Sequence, residues 1–467
     1  MASEKQAKTK PKSGKKKSLT PSAIAVIDNL VFSKNEFWAY YRVETEVFDF
    51  LSTEGKINNA VQLSNAFTSL VGEKDSVDIH IVSTSVPIDI DAWRVQILET
   101  SKDWNRSPGF ERYIEEQTKM LKEEEYLRKT VFFGVCLGKR GALDFGDLNI
   151  MSEGIKSAKE QLGKWWNSAL SVPGNEISAD EEDGARRKEA ETFRTLSNGN
   201  LRAQRVSSED LLLLIKRQFY PSMPAPYLEV DHENRLGAGD MDLELASAIE
   251  NKYRWLKITQ ILDGSEMSGY RACLSFSKFP RNTSFPNGTT PFLYFHSLMG
   301  LPFTVYTRLT LLPSEGMKKT IEKKRKELID ETENINASGQ TSGAAGIVSG
   351  GQPVGVSEAL QDMQTINSIL STDKTPWVQG SYRIVVETPD EETLRKYCSI
   401  LKQRYADLDI NVSWTAGDQA ELFLEQMPGD HLRIKSFKQI TNLSFLSTSG
   451  FRNSNDVGDP IFGSGDM

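Results

Sequence analysis

An alternation of apolar and polar side chains near the start of the chain constrains the fold most. Phe37, Ala39, Tyr41 and Val43 alternate with Trp38, Tyr40 and Arg42, which is the two-residue period of a β-strand. A second apolar run extends from Ile24 to Phe32, and the turn residues Ser33 to Asn35 lie between the two. The pattern predicts a β-hairpin, so a sheet is expected to begin here.

Helix and strand patterns continue along the first half of the chain. The periodicity predicts strands over 77–82 and 130–137, and helices over 58–70, 110–129, 151–170 and 208–215. The charged stretch from Ser178 to Lys188 is predicted to be a solvated loop entering a helix. Tyr220-Pro221 ends the last helix, and a proline pair follows, so we place a domain boundary after residue 226.

The second half repeats this mixture. Strands are predicted over 253–262, 270–276, 291–295, 303–311, 377–387 and 410–414, and helices over 318–335, 357–370 and 390–405. The glycine-rich stretch Gly339 to Gly355 joins the first two helices, which predicts a protruding charged helical hairpin in an insertion over 313–375. The expected fold class is α+β (mixed α/β), with two small sheet-and-helix domains over 23–226 and 227–455.

Composition sets the broad class. The chain has 467 residues, of which 38% are hydrophobic and 26% charged, values ordinary for globular protein with two or three domains. Its three cysteines are far apart, which argues against a disulfide framework or a Cys-x-x-Cys metal site and favours a reducing compartment. No window approaches the roughly 18 apolar residues of a spanning helix, and no signal-peptide core is present.

Two stretches resemble nucleotide- and metal-binding motifs but lack residues that those motifs require. The string from Gly134 to Arg140 is one residue short between its glycines for a phosphate-binding loop, and Arg140 stands where a hydroxyl is needed. We interpret it as a buried strand ending in a basic turn. Asp240, Asp242 and Glu244 resemble a calcium loop that lacks its later glycine and acidic ligand.

The four histidines are scattered without zinc-ligand spacing, and no nucleophile elbow occurs in a strand-to-helix context. The sequence therefore predicts no catalytic, cofactor-binding or metal-binding residue in this chain.

Residues 1–22 form a basic tail, which we expect to be disordered. Its candidate contacts with anionic lipid or nucleic acid are Lys10, Lys12, Lys15, Lys16 and Lys17. A solvated leader is the alternative, and base stacking is not expected because the tail lacks aromatic residues. Trp165 and Trp166, adjacent in a predicted helix, either cover the edge of a core or anchor a partner.

One segment resembles a known family. The helical pattern from Ala420 to Leu424, the Met427-Pro428-Gly429 turn, the run from Phe437 to Gly450 and the stretch Asp456 to Asp459 resemble the region that leads into the motor of the CagE, TrbE, VirB family. This family comprises the large ATPases of conjugative type IV secretion systems. The likeness covers roughly residues 24 to 460 and is topological in the first half.

The resemblance implies a docking and assembly portion that binds inner-membrane proteins of a secretion channel, self-associates, and lies in the cytoplasm against the inner face of the cell membrane. It implies ATP and Mg²⁺ for a motor domain that this sequence does not contain, with residues 456–467 as a linker toward it. No ATPase activity is expected from these residues alone, because the phosphate loop is missing. The alternatives are a stand-alone scaffold or nucleic-acid-associated protein that uses the basic tail and charged hairpin, and a hydrolase with an unrecognised site.

Overall fold

The structure is a computed structural model, and it describes most of the predicted elements. The described residues are 22–71, 75–87, 94, 98, 108–123, 127–140, 177–199, 201–223, 235–236, 247–262, 265–280, 285–286, 291–295, 301, 303–319, 321–323, 325–326, 329–330, 375–454, 457–459 and 463–465. Residues 1–21 of the predicted basic tail, the 151–170 helix with its tryptophan pair, the acidic string at 240–244, the glycine-rich stretch and the 357–370 helix lie outside them.

Eighteen strands occur among the described residues. They are β1 (Ala23–Ile27), β2 (Leu30–Ser33), β3 (Glu36–Val43), β4 (Glu46–Val47), β5 (Val77–Pro87), β6 (Leu127–Lys139), β7 (Ala203–Arg205), β8 (Arg235–Leu236), β9 (Ser247–Asn251), β10 (Leu256–Leu262), β11 (Ser265–Lys278), β12 (Phe303–Leu312), β13 (Trp377–Thr388), β14 (Asn411–Trp414), β15 (Gln439–Asn442), β16 (Asn453–Ser454), β17 (Val457–Asp459) and β18 (Gly463–Gly465).

Helices alternate with these strands along the chain. They are α1 (Thr53–Leu70), α2 (Pro108–Glu123), α3 (Ala179–Asn198), α4 (Ser208–Lys216), α5 (Glu391–Ala406), α6 (Gln419–Glu425) and α7 (Leu443–Ser447), and a 3-10 turn, Arg217–Phe219, follows α4. Residues 314–319, 321–323, 325–326 and 329–330 are also helical and are called the basic helix below. Among the described residues, no helix has the length and apolar character needed to cross a bilayer.

One antiparallel sheet of 14 strands organises the molecule. Its order is β8-β1-β2-β3-β6-β5-β12-β13-β11-β10-β9, with β7, β14 and β15 paired to β3, β11 and β13. The expected α+β class is confirmed. Both predicted domains contribute strands to this sheet, because β5 pairs with β12 from Val77↔Leu311 to Ser83↔Val305, while β4 and β16 pair in a separate small parallel sheet. The division of the chain into two domains stays a prediction.

The two faces of the sheet bury different side chains. On one face, residues such as Tyr41, Ile81 and Ile384 pack with α1, α3, α5 and α7 in an apolar core. On the other face, Tyr40 and Tyr306 pack with α4 and α6, and this face carries buried charges as well. The alternation of side chains along each strand separates the two sets.

The predicted first strand is in fact two strands. Asp28 and Asn29 make a turn between β1 and β2, with Asp28 at φ 52°, in the left-handed region that aspartate tolerates. The Asn29 side chain stabilises the turn by donating to the Tyr40 carbonyl at 3.3 Å and to Glu189 at 3.1 Å. The prediction of one strand from Ile24 to Phe32 was wrong because these contacts are non-local.

Other segments also differ from the sequence prediction; for example, α1 begins at Thr53 instead of residue 58, and β10 begins at Leu256 instead of residue 253. Residues 291–295 form a turn instead of a strand, since the Tyr294 and Phe295 amides both donate to the Pro291 carbonyl. The charged stretch predicted as a loop belongs to α3, whose start is stabilised by a Ser178 capping box. The helix predicted over 110–129 ends at Glu123, and β6 begins at Leu127.

The predicted strand-helix-strand unit near the C-terminal side is confirmed. β13 and β14 are both antiparallel to β11, so they run parallel to each other with β11 between them and α5 as the crossover. At 456–467, the predicted linker, Val457–Asp459 pairs with Gly463–Gly465 in a small antiparallel ladder.

Candidate functional site

A buried polar network lies where α6 and the residues after it cover the sheet. Its members are at least nine tenths buried and hydrogen-bond to α6, to the residues after it or to another member: Tyr40, His80, Arg271, Tyr306, Arg308, Arg383 and Glu425. Charged residues are seldom buried this deeply without partners. We call this set the polar network.

Glu425, the last residue of α6, is the centre of the network. Its carboxylate lies 3.2 Å from the Arg383 Nε atom, and both side chains have no exposed surface. The second carboxylate oxygen accepts the backbone N–H groups of Arg433 at 2.9 Å and Ile434 at 2.8 Å. Every side of the buried anion is thereby satisfied, which such a group requires.

Two more arginines hold the same segment, one through its backbone and the other through a side chain. Arg308 on β12 donates through Nε to the Glu425 carbonyl at 2.8 Å and through Nη2 to the Met427 carbonyl, and its guanidinium lies over the Trp38 ring. Arg271 on β11 bonds to the Gln426 side chain and lies 3.2 Å from Glu387. The segment after α6 is therefore fixed through its carbonyls and side chains.

Tyr40 and His80 extend the network across the sheet. The Gly429 N–H donates to the Tyr40 hydroxyl at 3.1 Å, and that hydroxyl lies 2.9 Å from His80 Nδ1. Gly134, between them in the sheet, leaves room for the tyrosine ring, because an added Cβ would lie 2.5 Å from Tyr40 Cε1. Only glycine fits at this position without displacement.

The protonation states in the network are fixed near neutral pH. Burial raises the pKa of Tyr306 well above its ordinary value and raises the pKa of the Cys273 thiol to about 11. Burial, and after it the charge of Arg308, hold the pKa of His80 well below its ordinary range. The tyrosine and thiol thus keep their protons and the histidine stays neutral. These groups act through hydrogen bonds that position residues 419–454, which comprise α6 and the chain after it and are called the α6 segment below.

A partly exposed rim surrounds this buried centre. Arg433 donates to both oxygens of Asp430 at 2.8 Å and lies 3.1 Å from Glu421. Asp430 also accepts from the Ser22 hydroxyl at 3.0 Å, and His431 lies at the surface beside it. The rim ties the α6 segment to the residue just before β1.

The candidate residues from the sequence are placed as follows. The string from Gly134 to Leu137 lies in β6, as interpreted, but the strand continues through Gly138 and Lys139, where a turn was predicted, and the chain turns at Arg140. All three cysteines are free. Within the described ranges, no group of three or more His, Cys, Asp and Glu side chains could hold a metal ion. The five tail lysines lie outside the described residues, so their contacts stay predictions.

Sequence reasoning missed the polar network. One signal was present: β11, β12 and β13 are apolar runs, and each contains an arginine, Arg271, Arg308 or Arg383. An arginine inside a strand predicted to be buried needs a partner. Its partners, however, lie between 42 and 155 residues away along the chain.

Comparisons with known proteins add no relative. No family model matches this chain, and no curated protein matches it.

Proposed function

We propose that this chain is the docking and assembly portion of a conjugative transfer ATPase, acting in the construction of a type IV secretion channel and in substrate translocation through it. In this role it lies at the cytoplasmic face of the membrane, binds inner-membrane channel proteins and self-associates. ATP and Mg²⁺ belong to the motor domain that the resemblance implies.

The rigidity of the α6 segment carries the proposal. This segment contains the residues that resemble the family, and it is bonded to β11, β12 and β13 through three buried arginines. Its far end is held too: Arg452 bonds to Glu46 in β4, and the Lys129 ammonium bonds to the Asn453 carbonyl. Rigid scaffolds keep docking surfaces in a fixed geometry, which supports a role in assembly.

Exposed apolar side chains on α1 offer a docking surface. Ile57 and Val61 lie one helical turn apart, with 44% and 51% of their surfaces exposed, and Phe50 just before the helix is 63% exposed. The opposite side of α1 buries Leu63 and Phe67 in the core. The helix therefore presents apolar residues outward as well as inward, which is typical of an interaction surface.

The test is co-purification of the full chain with inner-membrane channel proteins from the same mobile element. The double variant Ile57→Asp/Val61→Asp places two charges in the proposed contact and is expected to reduce recovery at least about tenfold, since each branched side chain contributes about 1 kcal/mol or more when buried. The control Ser399→Asp/Gln403→Asp adds the same charges to exposed positions of α5 and is expected to retain binding.

Two results would count against the proposal at different levels. If no channel protein is enriched over an unrelated control, the docking function is wrong. If the channel proteins are recovered equally with both double variants, docking is real but α1 does not mediate it.

A further inference from the structure

The basic helix is fixed to the body of the protein by one side only. Met317 and Ile321 are buried against Trp377 at the start of β13, with Leu312 and Ile440 packed around them. These two residues are separated by one helical turn and define a single apolar stripe. The orientation of the helix is therefore set, and its other side faces outward.

Cations cover the outward side. Lys318, Lys319, Lys323, Arg325 and Lys326 are all exposed. At about 100° per residue, Lys319, Lys323 and Lys326 lie on the side opposite Met317 and Ile321, and Lys318 and Arg325 flank the apolar stripe. Glu322 is the one carboxylate among the described residues from 318 to 326.

Four of these charges are available for a partner. No ion pair joins Lys318, Lys319, Arg325 or Lys326 to a carboxylate of the described part of the chain. The protein as a whole carries a formal net charge of −8, so the basic arc is a positively charged patch on a protein that is negative overall. A surface of this kind attracts polyanions.

We propose that the exposed arc of the basic helix binds the phosphate backbone of a nucleic acid without reading its sequence. An interfacial membrane helix needs an exposed apolar face, and here the apolar stripe is already buried against Trp377. No aromatic residue occurs between 314 and 330, so base stacking does not contribute. The inference does not rest on the docking function proposed above.

The helix geometry sets the size of the effect. From Lys318 to Lys326 the helix rises about 12 Å, at about 1.5 Å per residue. One strand of a duplex presents a phosphate about every 3.4 Å, so three or four phosphates face this length. The logarithm of the binding constant is then expected to fall with the logarithm of salt concentration with a slope of about −3.

The test measures fluorescence anisotropy of a labelled duplex of roughly 30 base pairs, and of its single strand, with the full chain between about 50 and 200 mM KCl. The variant Lys318→Gln/Lys319→Gln/Lys326→Gln is expected to bind at least about tenfold more weakly at low salt, with a slope reduced in magnitude by up to about 3. The control Lys396→Gln/Lys402→Gln/Arg404→Gln removes three exposed cations from α5 and is expected to change affinity less than about twofold. Circular dichroism checks that both variants are folded.

Three outcomes would overturn the inference. The first is equal loss of affinity in the two triple variants, which would indicate unspecific charge attraction. The second is binding that disappears on deletion of residues 1–17 and is unchanged in the helix variant. The third is helix-dependent binding to vesicles of phosphatidylserine and phosphatidylcholine that exceeds binding to either nucleic acid.

Discussion

Replacing Glu425 by glutamine is expected to destabilise the protein strongly. The glutamine keeps the shape of the side chain but removes its charge, so Arg383 stays buried as a cation without its carboxylate, 3.2 Å away. Breaking a buried pair in this way costs about 3–5 kcal/mol. The N–H groups of Arg433 and Ile434 also lose a charged acceptor, which places the expected loss toward the upper end.

The assay is urea unfolding of the full chain, followed by circular dichroism and tryptophan fluorescence. Glu391→Gln is the matched control, because Glu391 pairs with Arg395 at the surface, where the two side chains are 42% and 58% exposed. That change is expected to cost less than about 0.5 kcal/mol. The double variant Glu425→Gln/Arg383→Met leaves no stranded cation and is expected to recover part of the stability lost in Glu425→Gln.

The reasoning would be refuted by a small loss. If Glu425→Gln costs less than about 1 kcal/mol, the carboxylate is not needed to neutralise the buried arginine. If the stability losses of Glu425→Gln and Arg383→Met, each measured alone, sum to the loss of the double variant, the two residues are not energetically coupled, whatever their distance.

Three further predictions follow from buried groups on the same face. Gly134→Ala brings a Cβ within 2.5 Å of the Tyr40 ring and is expected to cost about 1–3 kcal/mol in urea unfolding, whereas a cost near zero would contradict the close packing. Since the pKa of His80 lies well below its ordinary 6.5 in the folded chain, unfolded chains take up a proton that folded chains do not. Stability is therefore complete above about pH 6.5 and decreases below it by up to about 1.4 kcal/mol per pH unit, and a His80→Gln variant that kept the same slope would contradict this assignment. Because burial raises the pKa of the Cys273 thiol to about 11, a disulfide reagent at pH 8 is expected to modify it at least about 100-fold more slowly in the native chain than in urea, and equal rates would show that the thiol is accessible.

Local patterns predicted the elements that local forces determine. The helix at Ser208–Lys216 has a serine cap and a leucine-rich face, and its boundaries were predicted within one residue. The strand from Trp377 was predicted for the same reason, since its apolar run is long and ends before the Asp390 cap of α5. In both cases the deciding contacts lie within a few residues along the chain.

Contacts between residues far apart in the chain determine the features that the sequence did not predict. The pairing of β5 with β12 brings together residues more than 220 apart, and no periodicity within either strand specifies that partner. The aromatic run from Pro291 to Phe295 has a strand-like composition, yet Phe292 packs edge-on against Phe276 and the backbone turns. The candidate site was unpredictable for the same reason, because Glu425 acquires its role only when Arg383 and Tyr306 surround it.

The position of Glu425 along the chain has a consequence for biosynthesis. Ribosomes complete β11, β12 and β13, with their three arginines, before the glutamate emerges. Until then, burying the charged side of those strands would leave an arginine without its carboxylate partner. That side of the nascent sheet therefore stays exposed to water. The side of the sheet that α6 covers is therefore completed late in synthesis, and a stop codon upstream of α6 would leave it exposed in a product prone to aggregate.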